Sequence, residues 1–203
     1  MRLYFAPGAC SMIVRMVLNH VGEPFEPVPI DLSAGEQRSP GFRTINPKGK
    51  VPTLVRKDGS VLTELGTILA WIAARHPEHG LLPTDDEART RIQETVEYCI
   101  STIHALGTTR IFVPSAFGKA EDEEAIKAEG RRIVAEGLQL LDGRMAGDVY
   151  LADELSIADF VIYWLALGAV MSGLPLPPRI HRDYIAMQQF DAVRQSLTDE
   201  GFV

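Results

Sequence analysis

The apolar pattern of this chain changes period once, near residue 80, and that change restricts its fold more than any other feature. Before it, short strand-like runs alternate with helix-like ones. Leu3 to Phe5 reads as a strand and Ser11 to His20 as a helix stopped by Gly22. Phe25 to Ile30 reads as a second strand, at a sheet edge because Pro27 and Pro29 alternate along it. After the Asn46-Pro47-Lys48-Gly49 turn, Pro52 to Val55 and Ser60 to Leu62 make a hairpin about Lys57-Asp58-Gly59, and Thr63 to Ala74 makes a helix. A helix between the first two strands predicts that they pair in parallel.

From Glu87 onward the alternation does not return. Ile92, Val96, Cys99, Ile100, Ile103 and His104 recur every three or four residues on one helix face, and Ile126, Ile133, Val134, Leu138 and Leu141 mark the next helix. Ser156 and Asp159 have the spacing of a capping box and predict a buried helix from Ile157 to about Leu167. The expected division is therefore residues 1–78, an eight-residue linker 79–86 punctuated by Gly and Pro, and an all-helical domain 87–203.

Composition removes several classes of function. With 203 residues, 46% of them apolar, the chain is an ordinary globular one. Asp and Glu outnumber Lys and Arg by 27 to 20 with no basic run, which argues against nucleic-acid or anionic-membrane partners. The longest apolar stretch, Phe160 to Met171, is too short to cross a membrane, and the N-terminus lacks a secretory pattern, so a cytoplasmic protein is expected. Two distant cysteines, Cys10 and Cys99, support neither a disulfide framework nor a zinc cluster, and Ile13 excludes a Cys-x-x-Cys dithiol. No metal is expected.

Three places carry candidate chemistry. Cys10 lies where a strand gives way to a helix; the helix dipole there favours thiolate, whereas a buried lone Cys is commonly a small apolar filler. Val51-Pro52 opens a strand that bends the chain and leaves the Val51 backbone to pair with an extended peptide, or else Pro52 simply starts an edge strand. Glu64-Leu65 opens a helix whose first N–H groups suit a carboxylate, with Glu64 placed to accept from an ammonium; Lys50 is available for a second carboxylate. Ser11 reads either as a reserve donor or as the N-cap of the first helix.

In this order the segments "PGACS", "NPKGKVPTL", "DGSVLTE" and "LSIADF" resemble the glutathione transferase family along nearly the whole chain. "PGACS" with "IHALG" at 103–107 most resembles the bacterial beta class. The resemblance implies a thioredoxin-like βαβαββα domain followed by an all-helical domain, a cytoplasmic homodimer, glutathione as co-substrate and a detoxifying transfer to hydrophobic electrophiles. It implies that Cys10 faces the glutathione sulfur, that Pro52 is cis with Val51 pairing to the peptide, and that Glu64 and the Leu65 N–H hold the γ-glutamyl end. Lys50, with Gln37 or Arg38, would meet the glycyl carboxylate, and Ser101 would reach a partner subunit's ligand. His104 would serve proton transfer, and Phe5, Ala9, His104, Ile111, Phe112 and Phe117 would line the electrophile pocket.

Three residues or segments depart from that pattern. Leu65 replaces the usual Ser, removing a hydroxyl contact to the γ-glutamyl carboxylate. Phe5 stands where Tyr is common, and Asp31 to Phe42 does not match the lysine-bearing loop of the beta class. Two other activities are compatible with the sequence: a glutathione-dependent disulfide reductase or thiol transferase, and a non-catalytic ligand-binding or regulatory member of the fold.

Overall fold

The computed structural model describes residues 1–147 and 149–203, which form two compact units: Met1–His79 together with Gln189–Val203, and Gly80–Gln188.

In the first unit, β1 (Arg2–Phe5), α1 (Ser11–His20) and β2 (Glu26–Pro29) form a βαβ hand. α2 (Pro40–Ile45) follows, then the hairpin β3 (Thr53–Val55) and β4 (Val61–Thr63), then α3 (Leu65–Arg75). The sheet order is β2-β1-β3-β4, with β1 parallel to β2 and antiparallel to β3. This is the βαβαββα order that the resemblance implied. β2 lies at the edge, as its prolines require: Pro27 and Pro29 cannot donate to a ladder, and the bonds come from Glu26 N to Met1 O and Ile30 N to Phe5 O. Leu3, Met12, Ile13, Met16, Leu54, Ile68 and Leu69, all fully buried, form the core of the unit. A smaller cluster of Tyr4, Ile30 and Phe42 contains an edge-to-face Tyr4–Phe42 pair at 5.6 Å, and Ser39 caps α2 by accepting from Phe42 N.

The expected helical domain 87–203 needs correction at its end. α9 (Asp191–Asp199) belongs to the first unit, where it packs along α1. Val193 and Leu197 give α9 an apolar stripe, and Asn19 Nδ2 donates to Ser196 Oγ at 3.0 Å. Periodicity identifies such a stripe but not the surface that it meets.

The second unit is helical. α4 (Asp86–Tyr98), N-capped by Asp85, runs without a break into a π-helical stretch, Cys99–Thr108, and then α5 (Thr109–Phe112). Within it Thr108 and Thr109 hydroxyls donate five residues back, to Ile103 O and His104 O. α6 (Glu123–Arg144) crosses close to this segment: a Cβ added at Gly130 would fall 2.8 Å from Gly107 O, so the approach requires glycine. α7 (Ile157–Met171) begins with the expected capping box and runs four residues beyond the predicted Leu167. Asp159 Oδ2 accepts from Ser156 N at 2.7 Å, Asp159 Oδ1 accepts from Leu151 N at 2.7 Å, and Ser156 Oγ accepts from Ala158 N. α8 (Pro178–Met187) closes the unit. No helix among the described residues is long and apolar enough to cross a membrane.

Candidate active site

β1 ends at Phe5 and the chain turns through Pro7, Gly8 and Ala9 to Cys10, the residue just before α1. Ala9 N bonds back to Ala6 O, and Gly8, with φ +74°, supplies the left-handed conformation that the turn requires. Cys10 is half-buried and its thiol donates to Val51 O over 3.9 Å, a long sulfur contact. Desolvation pushes the thiol up to about 12, and this outweighs the pull of its backbone hydrogen bond and of Lys50. The field at the helix start was expected to favour thiolate. Desolvation acts in the opposite direction, and the Cys10 thiol is placed to donate, to Val51 O.

Ser11 does not cap α1. It is fully buried, and its hydroxyl accepts from Ala6 N at 3.1 Å and donates to Ala6 O at 3.3 Å, bracing the loop from beneath. Both bonds go to one backbone residue, so Ser11 braces the loop. Phe5 is 7% exposed and lies under the Arg15 guanidinium, 4.2 Å from the ring centre. Ala9 remains half-buried in the loop.

The Val51–Pro52 peptide is cis, and Val51 is half-buried beside Cys10. Asn46 holds the approach to it, donating from Nδ2 to Lys50 O and Thr53 Oγ1, both at 2.8 Å. Past the hairpin, Glu64 has φ +70°, the non-glycine residue with positive φ among the described residues, and α3 starts at Leu65 without a side-chain cap. Such a conformation costs about 1–3 kcal/mol and is kept where the surroundings fix it. The first N–H groups of α3 therefore lie beside an acidic side chain, a pairing that suits the carboxylate and ammonium of an α-amino acid.

Sequence reasoning missed Lys48. Its Nζ lies 2.6 Å from Glu64 Oε1 and donates to Thr63 Oγ1 at 2.9 Å, so the ammonium that meets Glu64 in this structure is internal. The only available signal was the spacing of Lys48 in "NPKGK", which resembles that of Lys50. Leu65 is 6% exposed, so where a serine hydroxyl would face ligand this chain has a side chain packed into the core. Gln37 lies in the short turn Glu36–Arg38, where Nε2 donates to Leu32 O at 3.4 Å.

The remaining candidates lie in the second unit. Ser101 is exposed and His104 half-buried in the π-helical stretch, with the His104 ring edge-on to Trp164 at 4.9 Å. Phe112 and Phe117 are exposed, and Arg110 covers the Phe117 ring at 4.1 Å. Ile111 is 7% exposed and packs on α6, its Cγ1 2.9 Å from the position of a Cβ at Gly130.

The first unit is thus thioredoxin-like, with a thiol at its first helix, a cis-proline strand start and an acid at the opening of α3. Residues 8–75 match the family described as "Glutathione S-transferase, N-terminal domain". The chain is 30% identical to a zeta-class glutathione S-transferase of Euphorbia esula, over 94% of this chain and 88% of that one. It is similar in structure to a glutathione transferase homologue from Sulfitobacter with bound glutathione (TM-score 0.90, 28% identity, 100% and 98% of the two chains). A sphingomonad glutathione S-transferase complexed with glutathione is 32% identical with a TM-score of 0.84, each chain covered in full. The chain belongs to the glutathione S-transferase family.

Proposed function

We propose that this protein is a glutathione transferase that joins the glutathione sulfur to hydrophobic electrophiles. The observation that carries the reading is the placement of Cys10, Val51 and the Glu64–Leu65 helix start in one unit of a chain of this family. Glutathione pairs along Val51 and places its γ-glutamyl end at Glu64 and the Leu65 N–H, with Lys50 and Gln37 toward the glycyl end. Its thiol gives a proton to solvent, and the thiolate attacks an electrophilic carbon whose leaving group departs with the bonding pair. Cys10, a thiol in the free protein, donates a hydrogen bond to that thiolate. His104 assists proton transfer, Ser101 serves a partner subunit's ligand in a homodimer, and Phe112 and Phe117 supply apolar contact to a substrate. The enzyme acts in the cytoplasm as a detoxifying catalyst without a metal.

Calorimetric titration with reduced glutathione and a conjugation assay with chlorodinitrobenzene test this directly. Saturable binding with turnover supports it; absence of both in folded protein refutes it. The disulfide-exchange alternative is separated by intact mass after incubation with oxidised glutathione: a glutathionyl adduct that Cys10→Ala abolishes would favour thiol transfer.

A further inference from the structure

The carboxylate of Glu200, near the end of the chain, reaches the Cys10 loop. Its side chain is fully buried; Oε2 accepts from Gly8 N at 2.9 Å, and Oε1 accepts from Arg15 Nε at 2.9 Å. Arg15 is itself 3% exposed, stacked on Phe5 and bonded through Nη1 to Asp199 Oδ2 at 3.3 Å. Phe202 completes the contact: a Cβ at Gly8 would lie 2.9 Å from its ring, so the last residues of the chain rest directly on the turn that leads to Cys10. A buried ion pair of this kind is weak evidence for stability, because desolvation offsets most of its attraction. What it supplies is a fixed direction for the Gly8 N–H.

We propose that Glu200 is a positioning residue for the thiol site: through the Gly8 N–H it sets the turn that aims Cys10 and the start of α1 at the ligand sulfur. Arg15 orients the carboxylate, and α9 carries it there. The inference rests on the reading of the Cys10 loop as the thiol site, and it assigns a role in that site to a segment 190 residues further along the chain. The distance in sequence is bridged within one unit, by the packing of α9 on α1.

The test is Glu200→Gln, which replaces one of the two carboxylate oxygens that accept from Gly8 and Arg15 with an NH2 donor, with Arg15→Lys as a second variant that keeps the charge and loses the Nε donor. Three readouts are taken beside thermal stability. The kcat for chlorodinitrobenzene conjugation is expected to fall about tenfold while KM for glutathione changes less than about threefold, since the γ-glutamyl end is held elsewhere. The pH midpoint of the bound glutathione thiolate, followed by ultraviolet difference absorbance, is expected to rise. Removing a negative charge alone would lower it, so a rise reports lost alignment. In ligand-free protein, alkylation of Cys10 by iodoacetamide is expected to quicken several-fold, with buried Cys99 as the unreactive control. A lower melting temperature with all three readouts unmoved, or a lowered midpoint, overturns the proposal and leaves Glu200 a brace of the fold. If wild type binds no glutathione, the functional reading fails first, and the alkylation rates still decide whether Glu200 sets the Cys10 loop.

Discussion

The two ends of the candidate peptide site are built in opposite ways. The Cys10 loop is held by buried Ser11 beneath it and by two partners distant in sequence, Val51 across from it and Glu200 near the end of the chain. The Glu64 end is exposed and rests on neighbours within twenty residues, with the Lys48 and Glu64 side chains 52% and 65% accessible. A reacting sulfur needs fixed geometry and little water, because misplacement and solvation both weaken the interactions that act on it. An amino-acid head group needs charge recognition, which a wet surface provides and which a competing internal lysine can tune.

Four substitutions test this contrast, beginning with the largest expected effect. Glu64→Ala removes the acid proposed to meet the γ-glutamyl ammonium, and glutathione affinity is expected to fall at least about tenfold by calorimetry, as befits a charge-assisted hydrogen bond. Unchanged affinity would show that the exposed end contributes nothing to recognition.

Asp183→Asn examines what happens when a buried carboxyl lacks the partners that Glu200 has. Both Asp183 oxygens are buried without a hydrogen-bond partner among the described residues, and burial, with Asp159 nearby, raises the carboxyl from 3.8 to about 9. The folded state thus keeps a proton that the unfolded chain releases. The resulting stability is whole below about pH 4 and declines as pH rises toward about 9. The amide has no proton to lose, so the variant is expected to gain melting temperature over wild type more at pH 8 than at pH 5; an equal shift at both would contradict the assignment.

Leu65→Ser restores a hydroxyl at the opening of α3 at the expense of a buried side chain. Glutathione binding is expected to tighten by up to about tenfold, while unfolding free energy falls by about 1.5–3 kcal/mol for the lost apolar burial. Chemical denaturation and calorimetry read the two effects separately, and a stability loss without tighter binding would place the hydroxyl away from the ligand. The smallest effect is expected at Lys48→Met. An exposed ion pair contributes about 0–1 kcal/mol, so stability should hardly change and glutathione should bind less than about threefold more tightly. Weaker binding would mean that Lys48 assists the ligand instead of competing with it.

The first unit was legible in the sequence because its signals are local. The prolines of β2 forced an edge, Asp58-Gly59 forced a hairpin, and Ser156 with Asp159 marked the start of α7 in the second unit; each is a statement about backbone donors within a few residues. Cys10, Val51, Pro52 and Glu64 could be picked out for the same reason, as residues at breaks between elements. What Ile111 and Phe5 pack against was not legible, because residue type reveals apolarity but not the neighbours of the side chain. Lys48 was overlooked because its partner, Glu64, is sixteen residues away across a hairpin.

The sequence by itself determined the order of strands and helices, the change to an all-helical pattern and the chemical types available at the loop before α1. Only the tertiary structure decided which of those groups ionise and which are held. Desolvation raises the Cys10 thiol against the pull of its backbone hydrogen bond and of Lys50, and α9 returns to α1, where Ser196 on it meets Asn19 and Glu200 just past it meets Arg15. Desolvation and long-range pairing depend on what the folded chain brings near, and no short window of residues contains that information.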